Sequence, residues 1–298
     1  MRSQTKNASH VVGLIGADIG PSFSPPLHER EAEELGLEYS YERIDINEVG
    51  LAPEAVGELL QIAQRLGFSG LNITHPCKQT VVEHLAELSS DAAALGAVNT
   101  VVFDNGSAVG HNTDWPGFQQ SFVRGLPGVE TNRVVLLGAG GAGAAVAHAA
   151  LSLGVERIFV VDVETDRAES LVQALSRRYG SGRAAVSERV ADDLARADGL
   201  IHATPAGMAT HPGPPLPLEL LHAGLWVADV VYRPLETELL RHARQLGCRT
   251  LDGGGMAVFQ AALSFELFTG VQPDRERMLR HFAALAEHAS PLTGQERG

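Results

Sequence analysis

A glycine-rich turn between an apolar strand and a small-residue helix is the feature that most constrains this fold. The segment reads VVLLGAGGAGAAVA, and Gly138, Gly140 and Gly143 fit the spacing G-x-G-x-x-G. Such glycines allow a tight turn and a close approach of backbone to a pyrophosphate at the helix N-terminus. A second strand, RIFVV, leads to Asp162, 19 residues after Gly143. An acidic residue at about that distance meets the adenosine ribose, so the pattern predicts a dinucleotide site.

The same motif would also arise in a glycine- and alanine-rich helix that packs on a sheet without a ligand. We favour the dinucleotide interpretation because strand, turn, helix and second strand follow in the order that the fingerprint requires. The backbone of the turn is then expected to contact the cofactor at Gly138, Gly140, Gly141, Ala142 and Gly143.

The residues after the second strand bear on the choice of cofactor. Asp162 can accept hydrogen bonds from both ribose hydroxyls of NAD, and its charge would repel the 2′-phosphate of NADP. Glu164 and Asp166 add two acids, and Arg167 is the one cation near them in sequence. Arg167 either stacks on the adenine or is a first-turn helix residue without a ligand contact. The loop therefore predicts NAD rather than NADP.

The order of strand-like and helix-like segments predicts an α/β protein with two domains. After residue 115, six β-rich runs alternate with helical segments: RVVLLG, RIFVV, AAVS, GLIHAT, LWVADVV and CRTLD. This alternation is typical of a parallel sheet covered by helices, here a Rossmann-type domain over 116–254. Two final helices follow without another strand, so we expect them to pack back on the N-terminal α/β domain. That domain would comprise 1–115 plus 255–298.

The N-terminal part has the same alternating character. Apolar runs predict strands over 10–16, 39–45 and 68–74, and helical spacing predicts helices over 25–36, 51–67 and 76–88. Two further strands are expected to form a hairpin about Asn105-Gly106, since Asn-Gly favours the tight turns of hairpins.

Charge and composition exclude several classes of function. The chain has 298 residues and a formal net charge of −13, which disfavours binding to nucleic acid or to an anionic membrane. No apolar run approaches the roughly 18 residues of a membrane helix, and no signal peptide is visible. The two cysteines, Cys77 and Cys248, show no metal-binding spacing, so we expect reduced thiols, a cytoplasmic location and no metal. A homodimer is kept as one option for the assembly.

Polar residues cluster where predicted strands end in the N-terminal part. The clusters lie at 21–25, 72–78, 96–100 and 110–114. Ligands of open α/β sheets bind beyond the carboxyl ends of strands, so these clusters are expected to converge. They offer hydroxyls, amides, one ammonium and one carboxylate, which suits a small polyhydroxylated acid.

These motifs resemble the shikimate dehydrogenase family, including its quinate/shikimate branch. SFSPPLH is similar to the family's Ser-x-Ser-Pro segment, and NITHPCK to its Asn-Val-Thr-x-Pro-x-Lys segment. LGAVNT, HNTD, ATPAGM, DVVYRPLETELL and GGGMAVFQAALSFELFTG follow the family pattern in the same order. The resemblance covers nearly the whole chain.

The resemblance implies roles for individual residues. Lys78 and Asp114 are implied as the catalytic pair. The residues implied for the substrate are Ser22, Ser24 and Tyr232 at its carboxylate, and Thr74, Asn99, Asp114 and Gln260 at its ring hydroxyls. Val230 and Gly253 are implied near the nicotinamide, and Thr204 is included in the cofactor site.

The chemistry of the residues agrees with these roles. Oxidation of a secondary alcohol needs a hydride acceptor and a group that takes the hydroxyl proton, and a lysine beside a carboxylate can hold that hydroxyl and relay the proton. The alternative for Lys78 is a solvated lysine in the first turn of a helix, where a cation is mildly unfavourable. Ser22 and Ser24 could also serve as turn or N-cap residues before PPLHE.

Some positions depart from the family pattern. Asp162-Val163-Glu164 stands where NADP-using members typically carry an Asn-Arg-Thr type segment, which agrees with NAD. His202 replaces an asparagine, and we interpret it as structural. His75 either touches the substrate or packs, and His28 is interpreted as a surface or packed histidine rather than a base.

The main functional hypothesis is reversible, NAD-dependent oxidation of shikimate, quinate or both to the 3-dehydro ketone. NAD commonly serves oxidation, which favours a catabolic role. The rival within the same enzyme class is biosynthetic reduction of dehydroshikimate with NADPH. A non-enzymatic rival is a dinucleotide-binding sensor that kept the fold, although both Lys78 and Asp114 are present.

Overall fold

The computed structural model describes residues 9–104 and 106–289. The strands are β1 Ser9–Gly16, β2 Glu38–Asp45, β3 Gly70–Ile73, β4 Glu87–Leu88, β5 Thr100–Asp104, β6 Ser107–His111, β7 Arg133–Leu137, β8 Arg157–Val161, β9 Ala184–Val186, β10 Gly199–His202, β11 Trp226–Asp229 and β12 Arg249–Leu251. The helices are α1 Ser24–Leu35, α2 Val56–Arg65, α3 Cys77–Thr80, α4 Ser90–Leu95, α5 Asp114–Gly125, α6 Gly141–Ser152, α7 Thr165–Tyr179, α8 Val190–Leu194, α9 Glu238–Gln245, α10 Gly254–Thr269 and α11 Arg275–Ala289. Short 3₁₀ turns lie at Pro53–Ala55, Val81–His84 and Leu218–Leu220.

The N-terminal sheet is mixed and has the order β2-β1-β3-β5-β6-β4. β1 pairs in parallel with β2 and β3, whereas β5 runs antiparallel to both β3 and β6. Asp104 lies opposite Ser107 at the end of the β5–β6 hairpin, which confirms the predicted hairpin. Asn105 of the predicted turn lies outside the described residues.

The second sheet is wholly parallel, with the order β12-β11-β10-β7-β8-β9. All six strands predicted from the sequence are present, which confirms the Rossmann-type architecture. The strand order reverses between β7 and β10, and open α/β sheets bind ligands at such a switch point, beyond the carboxyl ends of the strands. The glycine-rich turn follows β7 at this point.

The two final helices pack back on the N-terminal half, as predicted. α10 contacts α1, β1 and β5, and it also packs along α5, while α11 packs on α1 and α10. Phe23 and Leu27 share one buried apolar cluster with Val258, Met278 and Phe282. The division into 1–115 plus 255–298 and 116–254 stays our proposed domain assignment.

The structure corrects one predicted helix. We expected a helix over 76–88, but α3 ends at Thr80, a 3₁₀ turn follows, and the chain then forms β4 at the edge of β6. The Ala86 and Ser89 N–H groups donate to the Ala108 and Gly110 carbonyls. Those bonds satisfy the open edge of β6, which a local helical pattern cannot reveal. In the described residues, no helix is both long and apolar enough to cross a bilayer.

His28 of α1 is a packed histidine, one of the two alternatives considered. Its side chain is buried, Nδ1 lies 2.8 Å from the Tyr39 hydroxyl, and burial lowers its pKa to about 3. The folded state therefore keeps His28 neutral, whereas the unfolded chain takes up a proton below about pH 6.5.

We therefore expect acid to weaken the fold through His28. Its contribution is complete above about pH 6.5 and is lost progressively as pH falls towards 3, because the unfolded state then binds more protons. Between pH 6.5 and 5 this amounts to about 2 kcal/mol of unfolding free energy. Urea unfolding of wild type and His28→Gln at both pH values measures it, with His288→Gln as an exposed control. Equal pH dependence in wild type and His28→Gln would contradict the assignment.

Candidate active site

A lysine and a carboxylate meet where the N-terminal sheet faces the glycine-rich turn. Lys78 lies in α3, directly after β3, and Asp114 is the first residue of α5, directly after β6. The Lys78 Nζ donates to Asp114 Oδ2 at 2.5 Å, and the side chains are 18% and 6% exposed. The pair is thus shielded from bulk water but still reachable from the cleft.

Asn99 holds the second oxygen of the same carboxylate. Its side-chain amide donates to Asp114 Oδ1 and to Thr113 Oγ1, both at 2.9 Å, and its Oδ1 accepts from the Thr113 N–H at 2.7 Å. Gln260 of α10 places Oε1 3.5 Å from the same amide nitrogen. Four of the predicted site residues, Lys78, Asp114, Asn99 and Gln260, are therefore brought into one hydrogen-bonded group.

A buried polar chain extends from Asn99 towards the serines after β1. Thr100 donates to Asn99 Oδ1 at 3.1 Å, and Asn72 donates to Thr100 Oγ1 at 3.1 Å. Tyr41 donates to Asn72 Oδ1 at 2.7 Å, and its hydroxyl lies beside the side chain of Ser24. Burial raises the pKa of Tyr41, so its phenol stays protonated. The hydrogen-bonded chain therefore runs from the Lys78–Asp114 pair to Tyr41, which lies beside Ser24.

Our sequence analysis did not assign a role to Tyr41, Asn72 or Thr100. One signal was present: Asn72 is a polar residue within GLNI, a strand whose four residues are all buried. A buried amide needs partners, so its position in an otherwise apolar strand indicates a hydrogen-bonded network.

The other predicted substrate residues lie along the same cleft. Tyr232, which follows β11, lies beside the side chain of Ser22, and its ring centroid is 6.2 Å from that of Phe23. Ser22 also accepts from the Ser24 N–H at 3.2 Å, which shows its role in the turn before α1, and its binding role stays a prediction. Burial raises the pKa of Tyr232, which keeps it a neutral hydrogen-bonding group. Thr74 is half-buried just beyond β3, and its N–H donates to the Ile15 carbonyl.

The glycine-rich turn has the shape that a pyrophosphate requires. Gly138 has φ of +101°, and a side chain there would lie 2.6 Å from the Ala203 carbonyl oxygen. A Cβ on Gly143 would strike the Gly138 carbonyl, whereas a Cβ on Gly140 would meet nothing within 4 Å. Within the described part of the chain, no side chain caps the amino end of α6. Its N–H groups and the open space over Gly140 fit an anionic dinucleotide backbone.

These two glycines give a matched pair of variants. We expect Gly143→Ala to destabilise the fold by about 2 kcal/mol, because the new methyl group overlaps backbone that cannot rotate away. We expect Gly140→Ala to leave the melting temperature unchanged and to weaken dinucleotide binding about tenfold, since the methyl group enters the space kept for the ligand. Thermal unfolding without ligand and fluorescence titration with NADH measure both. A stable Gly143→Ala, or unaltered binding by Gly140→Ala, would contradict this geometry.

Asp162 hydrogen bonds with the backbone of the glycine-rich turn at the predicted adenosine end of the site. Its Oδ2 accepts from the Ala139 N–H at 2.7 Å and its Oδ1 from the Glu164 N–H at 2.9 Å. Each carboxylate oxygen has a further lone pair for a ribose hydroxyl. A cavity of about 630 Å³ opens beside it, and its described lining contains the carboxylates of Asp162, Glu169 and Glu188 but no lysine or arginine.

The two halves of the site touch. A Cβ on Gly141 would lie 3.4 Å from Cβ and Cδ of Lys78, so the lysine stem passes directly over the start of α6. On the β11 side, a Cβ on Gly253 would strike the Val230 carbonyl, which places these two predicted cofactor residues side by side. The lysine–carboxylate pair therefore lies directly beside the dinucleotide loop.

The sequence left the roles of Arg167, His75 and Cys77 open, and the structure shows the surroundings of each side chain. Arg167 is exposed in the first turn of α7 and pairs with Glu164 at 3.0 Å. His75 is exposed, and burial of part of its ring, together with Lys78 and Arg167, lowers its pKa. Cys77 is fully buried, and burial raises the pKa of its thiol, which fits a packed rather than a reactive cysteine.

Family models of known domains match three separate stretches of the chain. The shikimate dehydrogenase substrate binding domain matches residues 14–101, and the shikimate 5'-dehydrogenase C-terminal domain matches residues 253–281. Residues 115–216 match the alanine dehydrogenase/PNT C-terminal domain.

Individual relatives differ in the cofactor that their names carry. Shikimate dehydrogenase (NADP(+)) of Streptomyces avermitilis is 63% identical over 284 residues, covering 95% of this chain and 98% of that protein. Quinate/shikimate dehydrogenase (NAD(+)) of Corynebacterium glutamicum strain R is 46% identical, covering 94% and 100%. The structure of quinate dehydrogenase from Corynebacterium glutamicum in complex with NAD superimposes with a TM-score of 0.86 at 44% identity, covering 93% and 99%.

A dinucleotide loop set against a lysine–carboxylate pair defines a nicotinamide-dependent dehydrogenase with its own α/β substrate domain. Both the fold and the relatives place the chain among oxidoreductases that use a nicotinamide dinucleotide. The chain belongs to the shikimate dehydrogenase family.

Proposed function

We propose that this enzyme catalyses the reversible, NAD-dependent oxidation of shikimate, quinate or both to the 3-dehydro ketone. The observation that carries the proposal is the Lys78–Asp114 pair, bonded at 2.5 Å and packed against Gly141 of the dinucleotide loop. Such a pair is suited to take the proton of a hydroxyl beside the predicted cofactor. When bound, the nicotinamide ring supplies the hydride acceptor.

The residues of the cleft divide the substrate between them. Lys78 and Asp114 hold the reacting hydroxyl and take its proton, and Asn99 keeps the carboxylate of Asp114 oriented. Thr74 and Gln260 bind the remaining ring hydroxyls. Ser22, Ser24 and Tyr232 bind the substrate carboxylate, and neutral hydroxyl donors suit an anion in a protein of net charge −13.

The preference for NAD over NADP is proposed from local charge. The cavity beside Asp162 is lined by three carboxylates, and a 2′-phosphate placed there would meet only like charge among its described neighbours. Arg167, the nearby cation, is already paired with Glu164. The remaining loop, turn and strand-end contacts to the cofactor come from Gly138, Gly140, Gly141, Ala142, Gly143, Thr204, Val230 and Gly253.

NADP-dependent shikimate dehydrogenase is the second candidate, and one observation favours it. The relative with 63% identity carries NADP(+) in its name, whereas the relative named for NAD(+) is 46% identical. The two candidates differ only at the adenosine end of the cofactor, so they share the roles of Lys78 and Asp114. A cytoplasmic location is part of the proposal, since both cysteines are buried free thiols.

A panel of two substrates against two cofactors tests the proposal. We expect shikimate, quinate or both to reduce NAD, which absorbance at 340 nm measures. The kcat/KM with NAD is expected to be at least about tenfold above that with NADP, which corresponds to about 1.4 kcal/mol of discrimination. A higher kcat/KM with NADP would overturn the cofactor preference and support the second candidate. No turnover of either acid with either cofactor would overturn the substrate.

A further inference from the structure

A buried histidine at the end of β10, His202, contacts Thr204, and Thr204 lies over the dinucleotide loop. His202 has no part in the proposed reaction. The side chains of His202 and Asp229 are both fully buried. His202 Nδ1 lies 2.9 Å from Asp229 Oδ1, and Nε2 lies 2.6 Å from Thr204 Oγ1. Hydroxyl, imidazole and carboxylate thus form one row that ends at the carboxyl edge of the sheet.

The partners of Asp229 determine where the hydrogens lie. Asp229 Oδ1 also accepts from the Val231 N–H at 2.9 Å, and Oδ2 accepts from the Thr237 hydroxyl at 2.8 Å. Both oxygens of Asp229 therefore act as acceptors, and His202 Nδ1 carries the hydrogen that it donates to Oδ1. In the neutral imidazole, Nε2 then has only a lone pair. With this tautomer, Thr204 donates its single hydroxyl hydrogen to His202 Nε2.

The Thr204 hydroxyl is left as an acceptor towards the cleft. Its hydrogen is engaged by His202, and its oxygen also accepts from the Ala206 N–H at 3.3 Å, which leaves acceptor capacity on a half-buried side chain. The threonine stands over the first glycine of the loop, because a Cβ on Gly138 would lie 3.0 Å from Thr204 Cγ2.

The position of Thr204 indicates which half of the cofactor it faces. Asp162 follows β8 on one side of β7, and the turn that fits a pyrophosphate follows β7 itself. β10 lies on the other side of β7, and Thr204 follows it. A dinucleotide laid across these strand ends has its adenosine half near β8 and its nicotinamide half near β10.

We propose that His202, fixed by Asp229, is a positioning residue that holds the Thr204 hydroxyl as a hydrogen-bond acceptor for a donor on the nicotinamide half of the cofactor. The donor is an N–H of the carboxamide or an O–H of the adjoining ribose. The inference rests on the proposed function only in requiring a nicotinamide dinucleotide at this loop. NADH and NADPH carry the same nicotinamide half, so it does not depend on which of them is preferred.

Direct titration of NADH fluorescence, without substrate, tests this inference. Thr204→Val and His202→Asn are each expected to raise the dissociation constant about tenfold, the effect of losing one well-placed hydrogen bond. The asparagine amide is short enough to keep the bond to Asp229 but does not reach Thr204. The double variant is expected to bind no more weakly than either single variant, because both remove the same acceptor. His202→Gln, whose longer amide reaches Thr204, is expected to restore binding to within about threefold of wild type.

The reduced 3-acetylpyridine analogue of NADH lacks the carboxamide N–H. It therefore identifies which group of the cofactor donates to Thr204. Equal affinity of wild type and Thr204→Val for this analogue would assign the carboxamide, and a loss equal to that seen with NADH would assign the ribose hydroxyl. Unchanged NADH binding by Thr204→Val, or additive effects in the double variant, would overturn the inference. A lower melting temperature of His202→Asn with unchanged binding would also overturn it and leave His202 structural. Failure of the substrate proposal would show separately, as absent turnover in wild type.

Discussion

Lys78→Ala is expected to lower kcat for the oxidation of shikimate or quinate about 10³-fold, the range of a lost general acid–base group. The Lys78 ammonium is 2.5 Å from Asp114 and the lysine stem packs over Gly141, so under the proposed function this pair meets the reacting hydroxyl beside the dinucleotide loop. Binding of NADH should change less than about threefold, because the dinucleotide contacts lie on the glycine loop and around Asp162. Stopped-flow turnover and fluorescence titration measure the two quantities on the same preparation.

The residue type at position 78 sharpens the test. The chain has 23 basic residues, and Lys6 and Lys78 are its only lysines. An arginine keeps the charge but cannot release a proton near neutral pH. Lys78→Arg is therefore expected to lose at least about 10²-fold in kcat. A merely electrostatic role would instead leave Lys78→Arg close to wild type.

Gln79→Ala is the matched control for this pair of variants. Gln79 is the next residue of α3 and is exposed. Its substitution should leave kcat, KM and melting temperature unchanged. Full turnover by Lys78→Ala would remove the lysine from the mechanism and would leave Asp114 as the group that takes the proton.

The second large effect is expected at the adenosine loop, where Asp162→Ser combined with Val163→Arg should shift the kcat/KM ratio of NADP to NAD upward by about 10³-fold. Two terms add: the repulsion by Asp162 is removed, and a charge-assisted hydrogen bond from arginine to the 2′-phosphate is gained, together about 4 kcal/mol. Val163 is fully exposed, so the new side chain meets no packed neighbour. The serine hydroxyl can still accept from the Glu164 N–H and preserve the turn.

Asp166→Ser controls for the change in net charge. Asp166 is an exposed acid in the first turn of α7 and does not line the cavity beside Asp162. We expect it to leave the cofactor ratio within about threefold of wild type, because an exposed charge is screened by solvent. An unaltered ratio in the double variant would show that cofactor choice is made elsewhere in the adenosine cavity, and Glu188 would then be the next residue to replace.

Residues 76–88, which include Lys78, show which features of this protein local sequence patterns can predict. Lys78 was placed at a strand end by the local pattern, and its pairing with Asp114 was implied only by the family resemblance. Nothing in the segment itself reveals that its second half leaves the helix to form β4, since that depends on the free edge of β6. Competition between a local helical pattern and a distant strand edge is decided by tertiary pairing.

The buried network beyond Asn99 shows the same limit. Asn72, Thr100 and Tyr41 lie on three different strands, and their hydrogen bonds join residues 28 and 31 positions apart. The registers of β1 with β2 and β3, and of β3 with β5, set these side chains against one another. His202 and Asp229 meet for the same reason, through the pairing of β10 with β11.

Several features of this protein are encoded in short stretches of its chain and could be predicted from them. These are the α/β alternation, the six strands of the parallel sheet, the glycine turn and the acidic residue that follows the second strand. Each depends on side-chain periodicity or on backbone freedom within a few residues. The tertiary structure decided which strand ends face one another, and with that the contact of Lys78 with Gly141, the orientation of Asp114 by Asn99, and the row from Asp229 to Thr204. Those contacts join residues far apart in the chain, and sheet register and helix packing, rather than local propensity, bring them within hydrogen-bonding distance.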